Sequence, residues 1–316
     1  MASLVTGGTG FLGCELAKML VQRGERVVLF DVAPSYAAVE SIKNKVSIMR
    51  GDLGNWSEVF NAVKDHEVKS IFHLGGMLSL PSEANPWAAY RVNANGTMHI
   101  LEAARLFGSE KVIFASTLGV YGPRKRTIIN ESAVEKPETM YGSTKLFAEH
   151  LGRFYAKKFG LDFRAVRFPT LVGPGATTKH PSQYMPWMIE YSLAKKPFDV
   201  WVEENCRVPF IYHKDAANAL LMLHDAPREN IKTLVYNLAG TSLTAREFAD
   251  KVVEHIPSAQ IRFRPDPEIV KMLGGGFDVI DDSCAQKEWG WKMSFDMEDM
   301  MQDFERTYRA SAKSRR

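Results

Sequence analysis

The sequence predicts an α/β protein with a doubly wound parallel sheet and a smaller α/β lobe at the carboxyl end. Short β-branched runs alternate with amphipathic helical patterns through the first two-thirds of the 316 residues, and this rhythm stops after Phe168. Strands separated by helical patterns of roughly 10–15 residues are typical of βαβ units. Right-handed crossovers then place helices on both faces of the sheet.

Each element is predicted from its own pattern. The predicted strands are 3–6, 26–30, 46–50, 70–74, 111–116 and 162–168, and the helices between them are 11–23, 56–64, 93–107 and 141–159. A polar loop from Gly173 precedes a helix at 184–195, a strand at 208–212, a helix at 215–226 and a strand at 234–238. Thr244 and Glu247 form a capping-box pattern at the start of a helix that ends at His255.

These elements predict the domain organisation. We expect a nucleotide-binding domain at 1–168, completed by returning segments of the later chain. A lobe at 169–309 is expected to be mainly substrate-binding, and a basic tail at 310–316 to be disordered.

Composition excludes several classes of function. Hydrophobic residues make up 45% and charged residues 24%, the net charge is +3, and no basic stripe with interleaved aromatics occurs. We therefore expect no nucleic-acid partner, and the apolar runs are too short for a membrane span. Three distant cysteines and eight histidines without metal-ligand spacing predict no metal site and a reduced, cytoplasmic compartment.

A glycine loop joins the first predicted strand to the first helix. Gly7 suits the tight turn, Gly10 lets backbone amides approach a pyrophosphate, and Gly13 lets the helix pack closely on the strand. Asp31 ends the next strand at the position of a carboxylate that binds the adenosine ribose. The pattern predicts a Rossmann fold, and the carboxylate favours NAD over NADP. Asp52 ends the third strand and either receives the adenine amino group or forms a local Asx turn.

A catalytic set is predicted from Tyr141, Lys145 and Thr117. The four-residue gap places Tyr141 and Lys145 on one face of a helix, and Thr117 follows the strand at 111–116. A free tyrosine has a pKa of about 10, so proton abstraction near neutral pH requires its pKa to fall by roughly 3 units. An adjacent ammonium and a nicotinamide cation are the expected source of that stabilisation.

Together these motifs resemble the extended short-chain dehydrogenase/reductases. Further matches cover nearly the whole chain: His73-Leu74-Gly75-Gly76, Asn93-Ala94-Asn95-Gly96-Thr97, Val120-Tyr121-Gly122 and Arg167-Phe168-Pro169. The resemblance implies that Tyr141 moves the hydroxyl proton, Lys145 binds the nicotinamide ribose, and Thr117 orients the substrate. Cofactor contacts are also expected from Phe11, Leu12, Leu53, Leu74, Asn93, Phe168 and Pro169.

Two branches of this family compete. Several stretches look like the short-chain L-threonine 3-dehydrogenases, above all Ile280-Asp281-Asp282-Ser283-Cys284-Ala285 with Trp289-Gly290-Trp291-Lys292. The other branch comprises nucleotide-sugar 4-epimerases and dehydratases with tightly bound NAD, for which no Arg-Pro-Gly-Asp segment is found. A dinucleotide sensor without catalysis is a third possibility, which the intact catalytic set disfavours.

The loop after Gly173 departs from the threonine dehydrogenase pattern, a GGGTTDYA-like segment. Thr177 and Thr178 match, but Lys179 stands at the acidic position and would suit a carboxylate or phosphate better than an ammonium group. The predicted reaction is NAD-dependent oxidation of a secondary hydroxyl of a small β-hydroxy acid or amino acid.

Two further substrate contacts are candidates. Ser79 either touches the substrate or caps a loop, and Arg207 binds a substrate acid or forms a structural ion pair. The resemblance also implies a homodimer that pairs through the helix bearing Tyr141.

Overall fold

The computed structural model describes residues 1–122, 128–273 and 279–314. Its strands are β1 (Ala2–Thr6), β2 (Arg26–Asp31), β3 (Val46–Arg50), β4 (Val68–His73), β5 (Lys111–Thr117), β6 (Ile128–Ile129), β7 (Asp162–Phe168), β8 (Thr170–Val172), β9 (Phe198–Val200), β10 (Arg207–Tyr212), β11 (Val235–Asn237), β12 (Thr241–Thr244), β13 (Ile261–Phe263) and β14 (Val279–Ile280). Its α-helices are α1 (Phe11–Gln22), α2 (Trp56–Asp65), α3 (Ser79–Ala84), α4 (Pro86–Ala89), α5 (Gly96–Phe107), α6 (Met140–Phe159), α7 (Tyr184–Leu193), α8 (His213–Asp225), α9 (Ala245–His255), α10 (Pro267–Leu273), α11 (Ser283–Trp289) and α12 (Met297–Ser314).

The centre of the molecule is a seven-stranded parallel sheet in the order β11-β7-β5-β4-β1-β2-β3. Helices α2, α5 and α6 pack one apolar layer against it, and α1 and α8 pack the other. The predicted doubly wound parallel sheet is therefore confirmed. The strand order reverses between β1 and β4, and a crevice opens at such a switch point outside the carboxyl ends of the strands.

Most predicted elements of the first 168 residues are confirmed within two residues at each end. The largest difference lies before α5, where 93–107 was predicted to be one helix. The helical path starts earlier, with α4 and a π-helix at Tyr90–Asn95, and α5 begins at Gly96. Asn93 consequently lies inside a π-helical turn, a feature that occurs mostly at functional sites.

The later chain divides its residues between the sheet and a separate lobe. Strand β11 pairs with β7, and α8 packs beside α1, so both complete the central domain. Strands β8, β10 and β12 form a three-stranded sheet whose inner face joins α7, α9 and α12 in a third apolar core. The capping box of α9 is confirmed, because the Thr244 hydroxyl accepts from the Glu247 amide and the Glu247 carboxylate accepts from the Thr244 amide.

One expectation for the later chain is confirmed and another is corrected. Helix α7 begins at Tyr184 as predicted, and Pro186 does not interrupt it because proline in a first turn removes no intrahelical hydrogen bond. Helix α12 continues to Ser314, so most of the segment expected to be a disordered tail is helical; 315–316 lie outside the described residues. In the part of the chain that is described, no helix is long and apolar enough to span a membrane.

Candidate active site

The glycine loop between β1 and α1 lies at the switch point of the sheet. Gly7 has φ +64°, which the turn requires, and a Cβ atom on Gly13 would overlap the Gly7 carbonyl oxygen. Gly10 is the N-cap residue of α1, and no side-chain hydrogen bond caps this helix end. The first-turn amides, which include those of Phe11 and Leu12, therefore have no capping side chain, and a pyrophosphate could accept from them.

Asp31 ends β2 beside this loop. Its Oδ2 accepts hydrogen bonds from the Thr9 amide at 3.2 Å and the Thr9 hydroxyl at 2.8 Å, and its Oδ1 accepts from the Ala33 amide at 3.2 Å. The carboxylate is thus held against the glycine loop while remaining partly exposed. That arrangement fits an acceptor for ribose hydroxyls.

Both carboxylate oxygens of Asp52 already have partners within the protein. Its Oδ1 accepts from the Gly54 amide at 2.8 Å in an Asx turn, and its Oδ2 forms an ion pair with Arg91 at 2.7 Å. The local alternative is therefore present, and an adenine contact of Asp52 stays a prediction. Leu53 is buried next to it.

A buried hydrogen-bonded chain fixes the crevice between β1 and β4. The Thr97 hydroxyl donates to the Asn93 carbonyl at 2.7 Å, so it accepts from His73 Nε2 at 3.0 Å. His73 Nδ1 then accepts from the Thr6 hydroxyl at 2.8 Å. The Thr6 oxygen in turn accepts from the amides of Leu74 and Gly75.

This chain determines the protonation of His73. Only a neutral ring with its proton on Nε2 satisfies every donor and acceptor. Burial, followed by the charge of Lys145, lowers the pKa of His73 to about 3. His73 is therefore a structural residue of the cofactor crevice that the sequence matched to a motif without assigning a role.

Asn93 connects the loop after β4 to the helix that bears Tyr141. Its Oδ1 accepts from the Met77 amide at 2.7 Å, and its Nδ2 donates to the Met77 carbonyl at 3.0 Å and to the Thr144 hydroxyl at 3.1 Å. All its side-chain groups are thus occupied by protein. A direct contact of Asn93 with the cofactor remains a prediction.

The last three residues of β5 anchor one face of α6. Thr117 hydrogen-bonds Tyr141, the Ala115 carbonyl accepts from the Lys145 ammonium at 2.7 Å, and the Ser116 hydroxyl donates to Glu149 at 2.5 Å. Residues 141, 145 and 149 are spaced by four, so they share a helical face. The structure therefore brings together Thr117, Tyr141 and Lys145 as the sequence predicted. It adds Ser116 and Glu149, which the sequence reasoning missed although the spacing of four continues to Glu149.

The protein by itself does not lower the pKa of Tyr141. Burial raises it to about 12, against the opposing effect of the Thr117 hydrogen bond. Lys145 lies with its Nζ 5.7 Å from the Tyr141 ring centroid and 4.6 Å from that of Phe114, and burial lowers its pKa to about 8. Desolvation thus outweighs the favourable contact within the protein. The expectation that Lys145 and a nicotinamide cation together stabilise the phenolate stays a prediction.

Strand β7 places Phe168 opposite Thr117 in the sheet register, and Pro169 follows directly. Both are buried at the carboxyl end of the sheet, beside the catalytic strand. This position suits the predicted contact with the nicotinamide.

The loop from Gly173 to α7 is held to the small lobe by backbone-directed hydrogen bonds. The Ala176 carbonyl accepts from Gln183 Nε2 at 3.1 Å and from Trp187 Nε1 at 2.8 Å, while Trp201 Nε1 donates to the Pro181 carbonyl at 2.8 Å. The loop is therefore tied down on both sides of 177–179.

The predicted substrate residues of this loop are exposed. Thr177, Thr178 and Lys179 all lie at the surface, and the Lys179 ammonium is 5.3 Å from the Trp201 ring centroid. In the GGGTTDYA pattern the acid directly precedes a tyrosine, and the residue that directly precedes Tyr184 is Gln183, which is buried. Whether Lys179 or Gln183 is matched to the acidic position of the pattern, the carboxylate is replaced by a basic or a neutral side chain.

The two remaining substrate candidates are Arg207 and Ser79. Arg207 donates to the Ser242 carbonyl at 2.9 Å and pairs with Glu247 at 3.2 Å, which is the structural ion pair considered as its alternative. Ser79 is the first residue of α3. Its contact with substrate stays a prediction. The described residues contain no cluster of three or more His, Cys, Asp or Glu side chains with metal-binding geometry.

The glycine cradle, the acid at the end of β2 and the Thr-Tyr-Lys set define a Rossmann enzyme that uses a dinucleotide. Residues 3–239 match the NAD dependent epimerase/dehydratase family. The mitochondrial L-threonine 3-dehydrogenase of Bos taurus is 30% identical over 305 residues, which cover 94% of this chain and 80% of the bovine protein.

Solved structures of threonine dehydrogenases are also similar to this chain over nearly its full length. The holo form of a GalE-like L-threonine dehydrogenase from Cupriavidus necator has a TM-score of 0.90 and 28% identity, covering 97% of this chain and 99% of the other. A monomeric L-threonine 3-dehydrogenase from a metagenome has a TM-score of 0.90 and 25% identity, covering 98% and 99%. This chain belongs to the NAD dependent epimerase/dehydratase family. The predictions of the family, of an NAD-dependent enzyme and of NAD as its cofactor are confirmed.

Proposed function

We propose that this enzyme is an NAD-dependent dehydrogenase that oxidises the secondary hydroxyl of a small β-hydroxy acid, with L-threonine as the leading substrate. The observation that supports this best is the Thr117, Tyr141 and Lys145 set within a chain similar over its full length to threonine dehydrogenases. The nucleotide-sugar epimerase alternative fits the same three residues, but the similarity to threonine dehydrogenases is higher, with 28–30% identity over nearly the full chain.

Each of the three residues has a defined task. The substrate hydroxyl lies between Thr117 and Tyr141, where the Thr117 hydroxyl orients it and the Tyr141 oxygen takes its proton. Lys145 keeps a positive charge beside Tyr141 and donates to the nicotinamide ribose. Asp31 and the amides at the start of α1 bind the adenosine half and the pyrophosphate. When bound, NAD supplies the hydride acceptor.

Tyr141 works as a base only with the cofactor in place. Its pKa of about 12 keeps the phenol protonated in the unloaded site. A cationic ring next to the phenol favours the phenolate, so the base is generated where the hydride acceptor is already bound. Deprotonation is thereby linked to cofactor binding.

The loop at 173–183 bears on the choice of substrate. Neither Lys179 nor Gln183 offers the carboxylate that an ammonium group prefers, whereas both suit a substrate carboxylate. A hydroxy acid without an amino group is therefore the second member of the proposed substrate class.

The test is NADH formation by the purified protein. L-threonine, D-threonine, 3-hydroxybutyrate, UDP-glucose and UDP-galactose are compared at equal concentration. We expect NADH with L-threonine or with the hydroxy acid and none with the sugars. Epimerisation of a UDP-sugar without net NADH would refute the dehydrogenase proposal.

We also propose that the protein forms a homodimer through α5 and α6. An exposed apolar stripe runs over these helices, and the Tyr155 hydroxyl, 3.3 Å from Met98 Sδ, shows that they are adjacent. The stripe comprises Met98, Leu106, Phe147, Phe154 and Phe159. Several large exposed apolar side chains on two neighbouring helices favour an interface.

Sedimentation tests the assembly. The wild-type mass should be that of two chains, and Phe154→Glu should give one chain because it places a charge in the stripe. A wild-type monomer, the state of the metagenomic relative, would contradict the proposal.

A cytoplasmic location is proposed from the three free cysteines. Localisation of a tagged chain tests it.

A further inference from the structure

A fully buried carboxylate lies one helical turn beyond Lys145, and the mechanism above does not use it. Glu149 and Arg167 both have side chains that are 0% exposed, and Glu149 Oε2 lies 2.6 Å from Arg167 Nη2. The other carboxylate oxygen accepts from the Ser116 hydroxyl at 2.5 Å. Removing two charges from water is costly, and a buried pair often adds no net stability.

The position of Glu149 relates it to the reaction. Tyr141, Lys145 and Glu149 follow one another on one face of α6, and consecutive residues of β5 hold all three. Arg167 is paired with Ser116 in the register of β5 and β7, directly before the strand end that carries Phe168. The ion pair thus joins α6 to β7, next to the strand β5 that carries Thr117.

We propose that Glu149 is a positioning residue for the reaction, whose carboxylate is the counter-charge that keeps Lys145 an ammonium ion inside the protein. Arg167 holds this carboxylate in place through its Nε and Nη2 atoms. The inference rests on the proposed function only in the use that Tyr141 makes of the Lys145 charge.

The charged and titratable neighbours of Lys145 support this assignment. From its own helix Tyr141 and Glu149 face it, and from β4 the neutral His73 faces it. Strand β5 contributes the Ala115 carbonyl, and the π-helical turn contributes the uncharged Asn93. Glu149 is the charged neighbour that raises the pKa of Lys145, opposing the burial that lowers it to about 8.

The charge of Arg167 is shared with a second carboxylate, which lies nearer the surface. Its Nη2 also bonds Glu135 at 2.7 Å, and the Glu135 side chain is 25% exposed. Its Nη1 donates to the Tyr121 hydroxyl. With two carboxylates around one guanidinium, Glu149 retains negative charge toward Lys145.

Glu149→Gln keeps the shape of the side chain and removes its charge. Glu149 raises the pKa of Lys145, so that pKa should fall below about 8 in the variant; a fall of about 1 unit is the low end of what a nearby opposite charge causes. At pH 8 the protonated fraction of Lys145 would then drop from roughly half to roughly one-tenth. The variant should lose kcat at alkaline pH while its KM for NAD changes less.

The decisive measurement is an NMR titration of the full chain carrying carbon-13 lysine, without substrate. The Lys145 signal is assigned by its absence in Lys145→Met. We expect its midpoint to move to lower pH in Glu149→Gln. An unchanged midpoint would overturn the inference, whereas failure to oxidise threonine would bear only on the proposed function.

A second buried pair on β7 provides the matched control. Arg164 and Asp162 are 1% and 9% exposed and 2.8 Å apart, and the register pairs Asp162 with Lys111 at the opposite end of the sheet from Thr117. Asp162→Asn should lower the unfolding temperature without moving the Lys145 midpoint. An equal shift in this control would also overturn the inference, since the effect would then be merely structural.

Glu149→Gln leaves the buried Arg167 with fewer partners and risks misfolding. The double variant Glu149→Gln/Arg167→Gln removes both charges and so avoids an unpaired guanidinium. It should shift the Lys145 midpoint in the same direction as the single variant. A midpoint at the wild-type value in the double variant would contradict the role of Glu149.

Discussion

Tyr141→Phe is the substitution on which the proposed chemistry depends most directly. The side chain keeps its ring and its packing but loses the oxygen that Thr117 contacts. General acid–base catalysis contributes roughly 10²–10⁴-fold to a rate. We expect kcat to fall by that factor while the Kd for NADH, measured by fluorescence, stays within about threefold.

The pKa of Tyr141 gives the free energy needed to ionise its phenol in the site without cofactor. A pKa of about 12 is roughly 2 units above that of free tyrosine, so burial disfavours the phenolate by about 3 kcal/mol. At pH 8, roughly one phenol in 10⁴ would be ionised without cofactor. The ultraviolet difference spectrum between wild type and Tyr141→Phe, without NAD, should therefore show no phenolate from Tyr141 below about pH 10.

Tyr155 supplies the matched control for this substitution. It lies on the same helix, is 5% exposed, and bonds Glu102 at 2.8 Å, away from Thr117. Tyr155→Phe removes the same atom and should leave kcat within a few-fold of wild type. If Tyr141→Phe kept more than about one-tenth of the activity, or Tyr155→Phe lost as much, Tyr141 would not be the catalytic base.

Three further predictions concern the cofactor crevice. Asp31→Asn should weaken NAD binding by roughly 10–100-fold, because a charge-assisted acceptor is worth about 1.5–3 kcal/mol; unchanged affinity in a fluorescence titration would contradict the ribose contact. Gly13→Ala should cost about 1–3 kcal/mol in urea unfolding and abolish NAD binding, since its Cβ overlaps the Gly7 carbonyl; normal binding would refute the close packing. His73, with a folded pKa of about 3, takes up its proton in the unfolded chain below about pH 6.5, so acidification destabilises the fold. Between pH 6.5 and pH 5 this one group should cost about 2 kcal/mol, and a pH dependence identical in His73→Gln would contradict it.

Local patterns were enough to predict the central domain. The alternation of β-branched runs with amphipathic helices, the glycines at 7, 10 and 13, and the four-residue gap between Tyr141 and Lys145 all act within a few residues of the chain. For that reason β3, β7 and the capping box of α9 were placed correctly.

The predictions were less accurate for segments whose conformation depends on residues distant in the sequence. Helical periodicity indicated a helix from Asn93, but its side chain bonds Met77 and Thr144, and the π-helical turn before Gly96 puts it there. The surroundings of Lys179 were also beyond local patterns, since its ammonium lies 5.3 Å from the Trp201 ring centroid. Its role as a substrate ligand stays a prediction.

The sequence by itself determined the fold class and the cofactor and placed Tyr141 and Lys145 on one helical face, because each follows from local spacing that fixes the backbone path. Only the tertiary structure decided how these groups are charged. The pKa of Tyr141 is raised by burial, and Lys145 stands over a Glu149–Arg167 pair whose members come from α6 and β7. Desolvation and charge pairing depend on which distant side chains surround a group, and no local pattern records that.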